Sequence, residues 1–188
     1  MLSIRAAVLY TALAFGANLT LGAAPALADI AAADAARAGD MRKLVLVDPQ
    51  PVPAIGLLGL DDAPRSLDEF RGKWVVLNFW ATWCAPCRVE MPSLGALQTA
   101  MGGPQFQVVT VASGRNAVPA IDRFFAEAGV THLPALRDPK GELSRALGIL
   151  GLPVTLILNP EGQEVGRLIG DADWNSAEAR TVLQALMR

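Results

Sequence analysis

The 188-residue sequence predicts an α/β fold, with a central mixed β-sheet flanked by α-helices on both faces. Two observations support this prediction. Segments with the pattern of strands alternate with segments with the pattern of helices along most of the chain. The last two strand segments are joined by residues 159–162, whose sequence Asn-Pro-Glu-Gly is typical of a hairpin turn. At least one pair of strands is therefore expected to be antiparallel.

The first half of the predicted domain contains two strands and one helix. Residues 43–47 resemble a short strand, and the three prolines that follow are expected to end it because proline lacks an N–H donor. Trp74–Trp80 is apolar except for Asn78, as expected of a strand buried on both faces. Apolar residues at helical spacing, among them Val89, then predict a helix over 86–101 that two glycines end.

The second half continues the alternation of strands and helices. In chain order it contains a strand at 106–112, a helix at Val118–Ala128, strands at Val154–Leu158 and 165–169, and a last helix from the N-cap residue Ser176 to Met187. This order implies that parallel and antiparallel neighbours occur in one sheet.

The N-terminus has the composition of an export signal. Residues 1–28 contain one charge, Arg5, then an apolar run over 6–21, and they end in Ala-Leu-Ala, a sequence that signal peptidase accepts. The alternative is a membrane anchor that stays uncleaved, because the apolar stretch is just long enough to cross a bilayer. Both interpretations place the folded part in the periplasm, free or anchored to the inner membrane. The alanine-rich residues 29–42 are interpreted as a tether or a loose helix, and 43–188 as the folded domain.

Composition excludes some classes of partner. The formal net charge is −2 and no block of basic residues occurs, so the sequence does not favour a nucleic-acid partner. The chain also has no nucleotide-binding fingerprint, and no cofactor is expected.

The two cysteines, Cys84 and Cys87, carry the chemistry that the sequence predicts. A disulfide that closes so short a loop stabilises a fold weakly, but it suits a bond that must open and close. A zinc site is not favoured, since two cysteines and one distant histidine provide fewer than the four ligands that a structural zinc ion binds. At the start of the helix over 86–101, Cys84 meets free N–H groups that favour a thiolate, so we expect Cys84 to be the nucleophile and Cys87 to resolve the mixed disulfide. The alternative is an inert surface disulfide.

Residues next to the cysteines have simpler interpretations. Pro86 can begin the helix without wasting a hydrogen-bond donor, and it helps to set the geometry between the two sulfur atoms. The aromatic residues Phe79 and Trp80 are expected in the core. For Trp83, core packing and a role at the site are equally compatible with the sequence.

The stretch 76–92, which reads VLNFWATWCAPCRVEMP, resembles the thioredoxin fold, in particular the TlpA/ResA/CcmG group of exported thioredoxins. The segments Gly-Lys at 72–73 and Gly-Leu-Pro-Val-Thr at 151–155 match the same group, and the ending Gly-Asp-Ala-Asp-Trp at 170–174 is most similar to TlpA. The resemblance covers the chain from about residue 53 to the C-terminus and implies a thioredoxin-like fold.

The resemblance also implies roles for individual residues. Pro153 matches a cis-proline that faces the disulfide and holds an extended substrate, and Leu152 next to it is expected to contact substrate with Trp83 and Pro86. Glu90 matches an acidic residue that handles protons or contacts partners, and a solvated surface glutamate is the simpler alternative.

Asn78 departs from cytoplasmic thioredoxins, which carry a buried aspartate at this strand position. An asparagine side chain does not titrate, so the sequence leaves the proton route to the resolving cysteine open.

The function that the resemblance implies is reduction of disulfides in exported proteins: metallochaperones, cytochrome oxidase subunits or apocytochrome c. Electrons would come from a membrane donor of the DsbD/CcdA type. A disulfide oxidant competes with this interpretation, because a difference of about 30 mV, or 1.4 kcal/mol, decides the direction. A copper-binding chaperone that uses Cys84, Cys87 and His132 is a third hypothesis, and a peroxidase is a less favoured fourth. A surface loop is the simpler interpretation of His132.

Overall fold

The computed structural model describes residues 30–188, which form an eight-stranded sheet with helices packed against it. The elements are α1 (Ile30–Ala35), β1 (Leu44–Pro51), β2 (Leu57–Leu58), β3 (Pro64–Arg65), β4 (Trp74–Trp80), α2 (Ala85–Met101), β5 (Phe106–Ser113), α3 (Val118–Ala128), β6 (Ala135–Asp138), α4 (Glu142–Ala146), β7 (Val154–Leu158), β8 (Gln163–Ile169) and α5 (Ala177–Leu186). Short 3-10 helices span Gly39–Lys43 and Leu67–Phe70. The strand order in the sheet is β1-β8-β7-β4-β5-β6-β2-β3.

The export signal predicted for 1–28 lies outside the described residues. Within 30–188, none of the helices has the length and apolar character that crossing a membrane requires.

Strand β4 lies in the middle of the sheet, and all of its residues are buried. It pairs in parallel with β5 and antiparallel with β7, so the sheet is mixed, as predicted. A continuous apolar run is the pattern expected of a strand that is covered on both faces. The turn that follows β4 carries both cysteines. Because β4 is central, this turn lies in the middle of one sheet edge, meaning here the side of the sheet where strands end.

Alternate residues of β4 face two separate apolar cores. Val76 and Trp80 belong to the first core, to which α1, α2, α3 and α5 contribute. Leu77 and Phe79 belong to the second core, to which α4 contributes. The prediction of helices on both faces is confirmed, and α2 lies on the same face as the side chains of Val76 and Trp80.

The prediction that prolines end the first strand after residue 47 is wrong. Strand β1 continues to Pro51 and is the outermost strand on its side of the sheet, where it pairs antiparallel with β8. Its register shifts between Leu46 and Gln50, so the pairing is interrupted where Pro49 lies. An edge strand with an irregular register tolerates proline because part of its backbone has no neighbour to bond.

The segment interpreted as a tether packs into the domain. Helix α1 lies against α5, and the side chains of Ala33 and Met41 are fully buried in the first core. Lys43 Nζ donates to the carbonyl oxygen of Asp171, and Asp40 accepts from the backbone N–H of Asp173. The folded unit therefore begins before residue 43, because small and apolar side chains in this segment cover the C-terminal helix.

The predicted order of elements does not contain β6 and α4. Pro134 and Pro139 flank β6, and the polar residues Arg137 and Asp138 end it, so the segment has the composition of a loop. Both polar residues are nevertheless buried. Arg137 donates to Gly59 O and pairs with an aspartate of the β2–β3 turn, and the carboxylate of Asp138 accepts from the start of α4.

Candidate active site

Cys84 and Cys87 lie at the junction between β4 and α2, where the sequence predicts them. Cys84 is the N-cap residue of α2, with extended backbone dihedral angles, and its Sγ accepts a hydrogen bond from the Cys87 N–H at 3.3 Å. Pro86 occupies the first turn, where its missing N–H costs no hydrogen bond. The sulfur of Cys84 therefore lies where the unpaired N–H groups of the helix start stabilise negative charge.

The two cysteines form a disulfide bond whose Cα atoms lie 5.3 Å apart. Cys84 keeps 5% of its surface exposed, whereas Cys87 is fully buried. An incoming sulfur atom therefore meets Cys84 first, which agrees with the order of attack that the sequence predicts.

The peptide bond between Leu152 and Pro153 is cis, the isomer that the resemblance implies. Pro153 is buried, and its carbonyl oxygen accepts from the Gly170 N–H. The next residue, Val154, begins β7 and pairs with Phe79 near the end of β4. The cis-proline therefore lies at the same edge of the sheet as the cysteines.

Exposed apolar side chains occur in the segments that carry the disulfide and the cis-proline. Trp83 is 69% exposed, Val89 on the second turn of α2 is 75% exposed, and Leu150 is fully exposed. Pro86 is also exposed, and Leu152 is half-buried. Large apolar side chains that are open to water next to a reactive group are typical of a surface that contacts another protein.

Trp83 is thus outside the core, whereas Phe79 and Trp80 are fully buried in it, as predicted. Sequence reasoning missed Val89, because its spacing placed it on the buried face of the helix. It also missed Leu150, although the apolar run 149–152 in a predicted loop was a usable signal.

Glu90 lies on the buried face of α2 and is only 3% exposed, so it is not a solvated surface residue. Its Oε1 accepts from Asn78 Nδ2 at 2.8 Å. Its Oε2 accepts from the Ala172 N–H and from Trp174 Nε1, each at 3.2 Å. The carboxyl group therefore joins β4, α2 and the segment before α5. Ala172 and Trp174 follow Glu90 by more than eighty residues, and no local pattern indicates this contact.

Burial raises the pKa of Glu90 to about 7, although the hydrogen bonds from Asn78, Ala172 and Trp174 act in the opposite direction. Asp171 adds a smaller upward contribution as a nearby negative charge. A carboxyl group with such a pKa gains and loses a proton near neutral pH. Cys87 and Glu90 are three residues apart and both buried, so they lie on the same face of α2.

Asn78 links Glu90 to β7. Its Nδ2 also donates to Thr155 Oγ1 at 2.9 Å, and its side chain is fully buried. Within residues 30–188, the Oδ1 atom of Asn78 is a buried acceptor to which no donor is bonded. The amide thus orients the Glu90 carboxylate without titrating itself.

His132 lies apart from the cysteines. Its side chain is exposed, and its Nε2 is 3.0 Å from Gly95 O, eight residues beyond Cys87 along α2. That separation is roughly 12 Å along a helix. Within residues 30–188, no group of three or more His, Cys, Asp or Glu side chains is arranged to hold a metal ion.

A mixed sheet with a disulfide at the start of a helix and a cis-proline at the same sheet edge defines the thioredoxin-like class of proteins. The sequence profile of the AhpC/TSA family matches residues 49–163, and the chain belongs to this family.

The chain is also similar to named thiol–disulfide proteins. It is 34% identical to the thioredoxin-like protein YneN of Bacillus subtilis over 60% of this chain and 66% of that protein. It is 33% identical to the thiol-disulfide oxidoreductase ResA of the same organism, over 55% and 57%. It is 30% identical to the thiol:disulfide interchange protein DsbE of Pseudomonas aeruginosa, over 66% and 67%. The chain thus spans about half to two thirds of the length of these relatives.

Solved structures agree with the fold. A thiol:disulfide interchange protein of Chlorobium tepidum superposes with a TM-score of 0.62 at 28% identity, over 76% of this chain and 99% of that one. An exposed lipoprotein thioredoxin of Streptococcus pneumoniae gives 0.57 at 27% identity, over 72% and 98%. These similarities support the TlpA/ResA/CcmG group as a whole, and the nearer likeness to TlpA stays a prediction.

Proposed function

We propose that the protein is a thiol:disulfide oxidoreductase that reduces disulfides of exported proteins through Cys84 and Cys87. One observation carries the proposal: Cys84 caps the start of α2 and keeps 5% of its surface exposed, whereas its disulfide partner Cys87 is fully buried. The exposed side chains of Trp83, Val89 and Leu150 offer a partner protein an apolar surface. The names of ResA and DsbE support the same chemistry.

The reaction proceeds in two exchanges. The Cys84 thiolate attacks one sulfur of a substrate disulfide, so that a mixed disulfide forms and one substrate cysteine leaves as a thiolate. Cys87 then loses its proton and attacks the Sγ of Cys84, which releases the second substrate thiolate and closes the internal disulfide. Two electrons pass from the protein to the substrate, and the two released thiolates take up the two protons that the dithiol loses.

Glu90 is proposed as the group that handles the proton of Cys87. Its pKa of about 7 suits both uptake and release near neutral pH. It lies one helical turn beyond Cys87 on the buried face of α2. Asn78 Nδ2 holds the carboxyl group in place by donating to Glu90 Oε1.

Pro153, Leu152, Trp83 and Pro86 are proposed as substrate contacts. Pro153 directly precedes β7, whose first residue pairs near the end of β4, at the sheet edge that carries the disulfide. An extended substrate segment can bind there through its backbone, while exposed apolar side chains around it contact the substrate side chains.

Reduction is the proposed direction because the carboxyl group of Glu90 is buried near Cys87 on the same face of α2. A strong oxidant gains its potential by stabilising the thiolate of its reduced form. Here the ionised Glu90 carboxylate near Cys87 opposes a second negative charge and offsets part of the stabilisation from the helix start. The thiolate of the reduced form is therefore less stabilised than in a strong oxidant, which favours passing the electrons on.

The periplasm is the proposed location, with residues 1–28 as a cleaved signal or as an inner-membrane anchor. The exposed lipoprotein thioredoxin of Streptococcus pneumoniae, which has a similar fold, supports this location. The proposed substrates are metallochaperones, oxidase subunits or apocytochrome c, and the proposed electron donor is a membrane protein of the DsbD/CcdA type.

Insulin provides a test of the proposed activity, because its reduced B chain precipitates. With dithiothreitol as the electron source, we expect the purified protein to speed the appearance of turbidity well above the rate with dithiothreitol alone. A variant with Cys84→Ser and Cys87→Ser together is the control and should give the background rate. Equal rates with wild-type protein and with this variant would remove the basis of the proposal.

A further inference from the structure

We propose that Asn116 is a positioning residue for the active-site turn, and that its side chain sets the reactivity of Cys84. Asn116 lies in the loop between β5 and α3, far from the cysteines in sequence. The inference deepens the proposed function, since it rests on Cys84 as the nucleophile.

The side chain of Asn116 connects two loops at one edge of the sheet. Its Oδ1 accepts from the Thr82 N–H at 2.8 Å and from Thr82 Oγ1 at 3.0 Å. Its Nδ2 donates to Ser113 O at 2.9 Å and to Gly114 O at 3.4 Å. The Oδ1 and Nδ2 atoms of the amide therefore each have two hydrogen-bond partners.

Thr82 belongs to the turn that carries Cys84 to the start of α2. In this turn the Cys84 N–H donates to Ala81 O at 3.1 Å, and the side chain of Ala81 is fully buried. Trp83, the residue of the turn between Thr82 and Cys84, has an exposed side chain. Because the backbone and the hydroxyl of Thr82 bind the same oxygen, Asn116 fixes both the position and the rotation of the turn.

The position of the turn matters for the sulfur of Cys84. The N–H of Cys87 reaches that sulfur at 3.3 Å, and a hydrogen bond of this kind weakens steeply when its donor and acceptor move apart. A turn released from Asn116 lets the sulfur leave the helix start, where the thiolate is stabilised. Asn116 thus acts through Thr82 and not by contact with substrate.

Asn159 offers a matched control. It lies in the β7–β8 hairpin turn, where its Oδ1 accepts from the Gln163 N–H at 2.8 Å and its Nδ2 donates to Gln163 Oε1 at 3.0 Å. It follows the end of β7, whereas Pro153 and the disulfide edge lie before its start. Asn159→Ala therefore removes a similar set of hydrogen bonds from a loop at the opposite end of the sheet.

The test measures the reactivity of Cys84 in the reduced protein. The rate of its alkylation by iodoacetamide is followed against pH, and the equilibrium with glutathione is measured for the same proteins. For Asn116→Ala we expect the pH midpoint of alkylation to rise by about one unit. We also expect the equilibrium constant for thiol–disulfide exchange with glutathione to change by about tenfold. Asn159→Ala should leave both quantities at their wild-type values while lowering the thermal midpoint to a similar extent.

Substitutions of Thr82 keep the test decisive if Asn116→Ala does not fold. Thr82→Val removes the bond from Oγ1 and keeps the bond from the backbone, so its midpoint should lie between those of wild type and Asn116→Ala. Thr82→Ser keeps both bonds and should restore wild-type values. Wild-type midpoints for Asn116→Ala and Thr82→Val would overturn the positioning role. A wild-type protein without any reversible cysteine couple would instead refute the proposed function itself.

Discussion

Cys87→Ser protein is expected to accumulate mixed disulfides with its substrates, because Cys84 can attack but nothing resolves the product. Cys84 keeps 5% of its surface exposed, whereas Cys87 is fully buried. Without Cys87 the second exchange stops, and reduction of protein disulfides should fall to the background rate. The complexes are measured on non-reducing gels of periplasmic extracts, and they should disappear when dithiothreitol is added.

The reverse substitution controls for this result. Cys84→Ser leaves a cysteine that is fully buried, and we expect neither complexes nor activity. Complexes that form through Cys87 in this variant, and not through Cys84 in the first, would invert the proposed roles of the two cysteines.

A second large effect is expected from Glu90→Gln on the pH dependence of stability. In the native protein the pKa of Glu90 is raised from 4.5 to about 7, so the folded state holds a proton that the unfolded state has already lost. Between these two values the folded state binds more protons, and the free energy of unfolding therefore decreases as the pH rises. The loss should amount to about 3 kcal/mol between pH 4.5 and 7, and it levels off above the native pKa.

Urea unfolding of the oxidised protein between pH 4 and 8 measures this effect. The side chain of Glu90→Gln cannot ionise. Over this pH range its free energy of unfolding should therefore decrease by about 3 kcal/mol less than that of wild type. Glu161→Gln is the control, since Glu161 is an exposed residue of the hairpin turn, and its curve should follow wild type. Parallel curves for Glu90→Gln and wild-type protein would show that the pKa of Glu90 is the same in the folded and unfolded states, which would contradict the raised pKa.

Local patterns were sufficient for the central part of the fold. The bounds of β4, α3 and β7 agree with the prediction, because each is a run of apolar residues or of helical spacing between clear turn residues. The cysteine pair was placed correctly for the same reason, since a buried strand and a helix start are both visible in the sequence on either side of it.

Long-range contacts explain what the sequence did not reveal. Nothing near Glu90 indicates that Trp174 will bond its carboxyl group, and nothing near Thr82 indicates Asn116. The segment that contains Ala33 has the composition of a tether, yet Ala33 itself is fully buried because helix α1 packs against α5. In each case the partner lies far away in the sequence, and only the folded sheet brings the two together.

The reduction potential of the Cys84–Cys87 couple tests the central claim most directly. It is measured by equilibrating the purified protein in glutathione or dithiothreitol buffers of known ratio and counting the free thiols of each sample. We expect a reversible two-electron couple near the potential of the reducing thioredoxins, about −270 mV. A potential near that of the strong oxidant DsbA, about −120 mV, would contradict reduction as the direction, and the absence of a reversible couple would contradict the account as a whole.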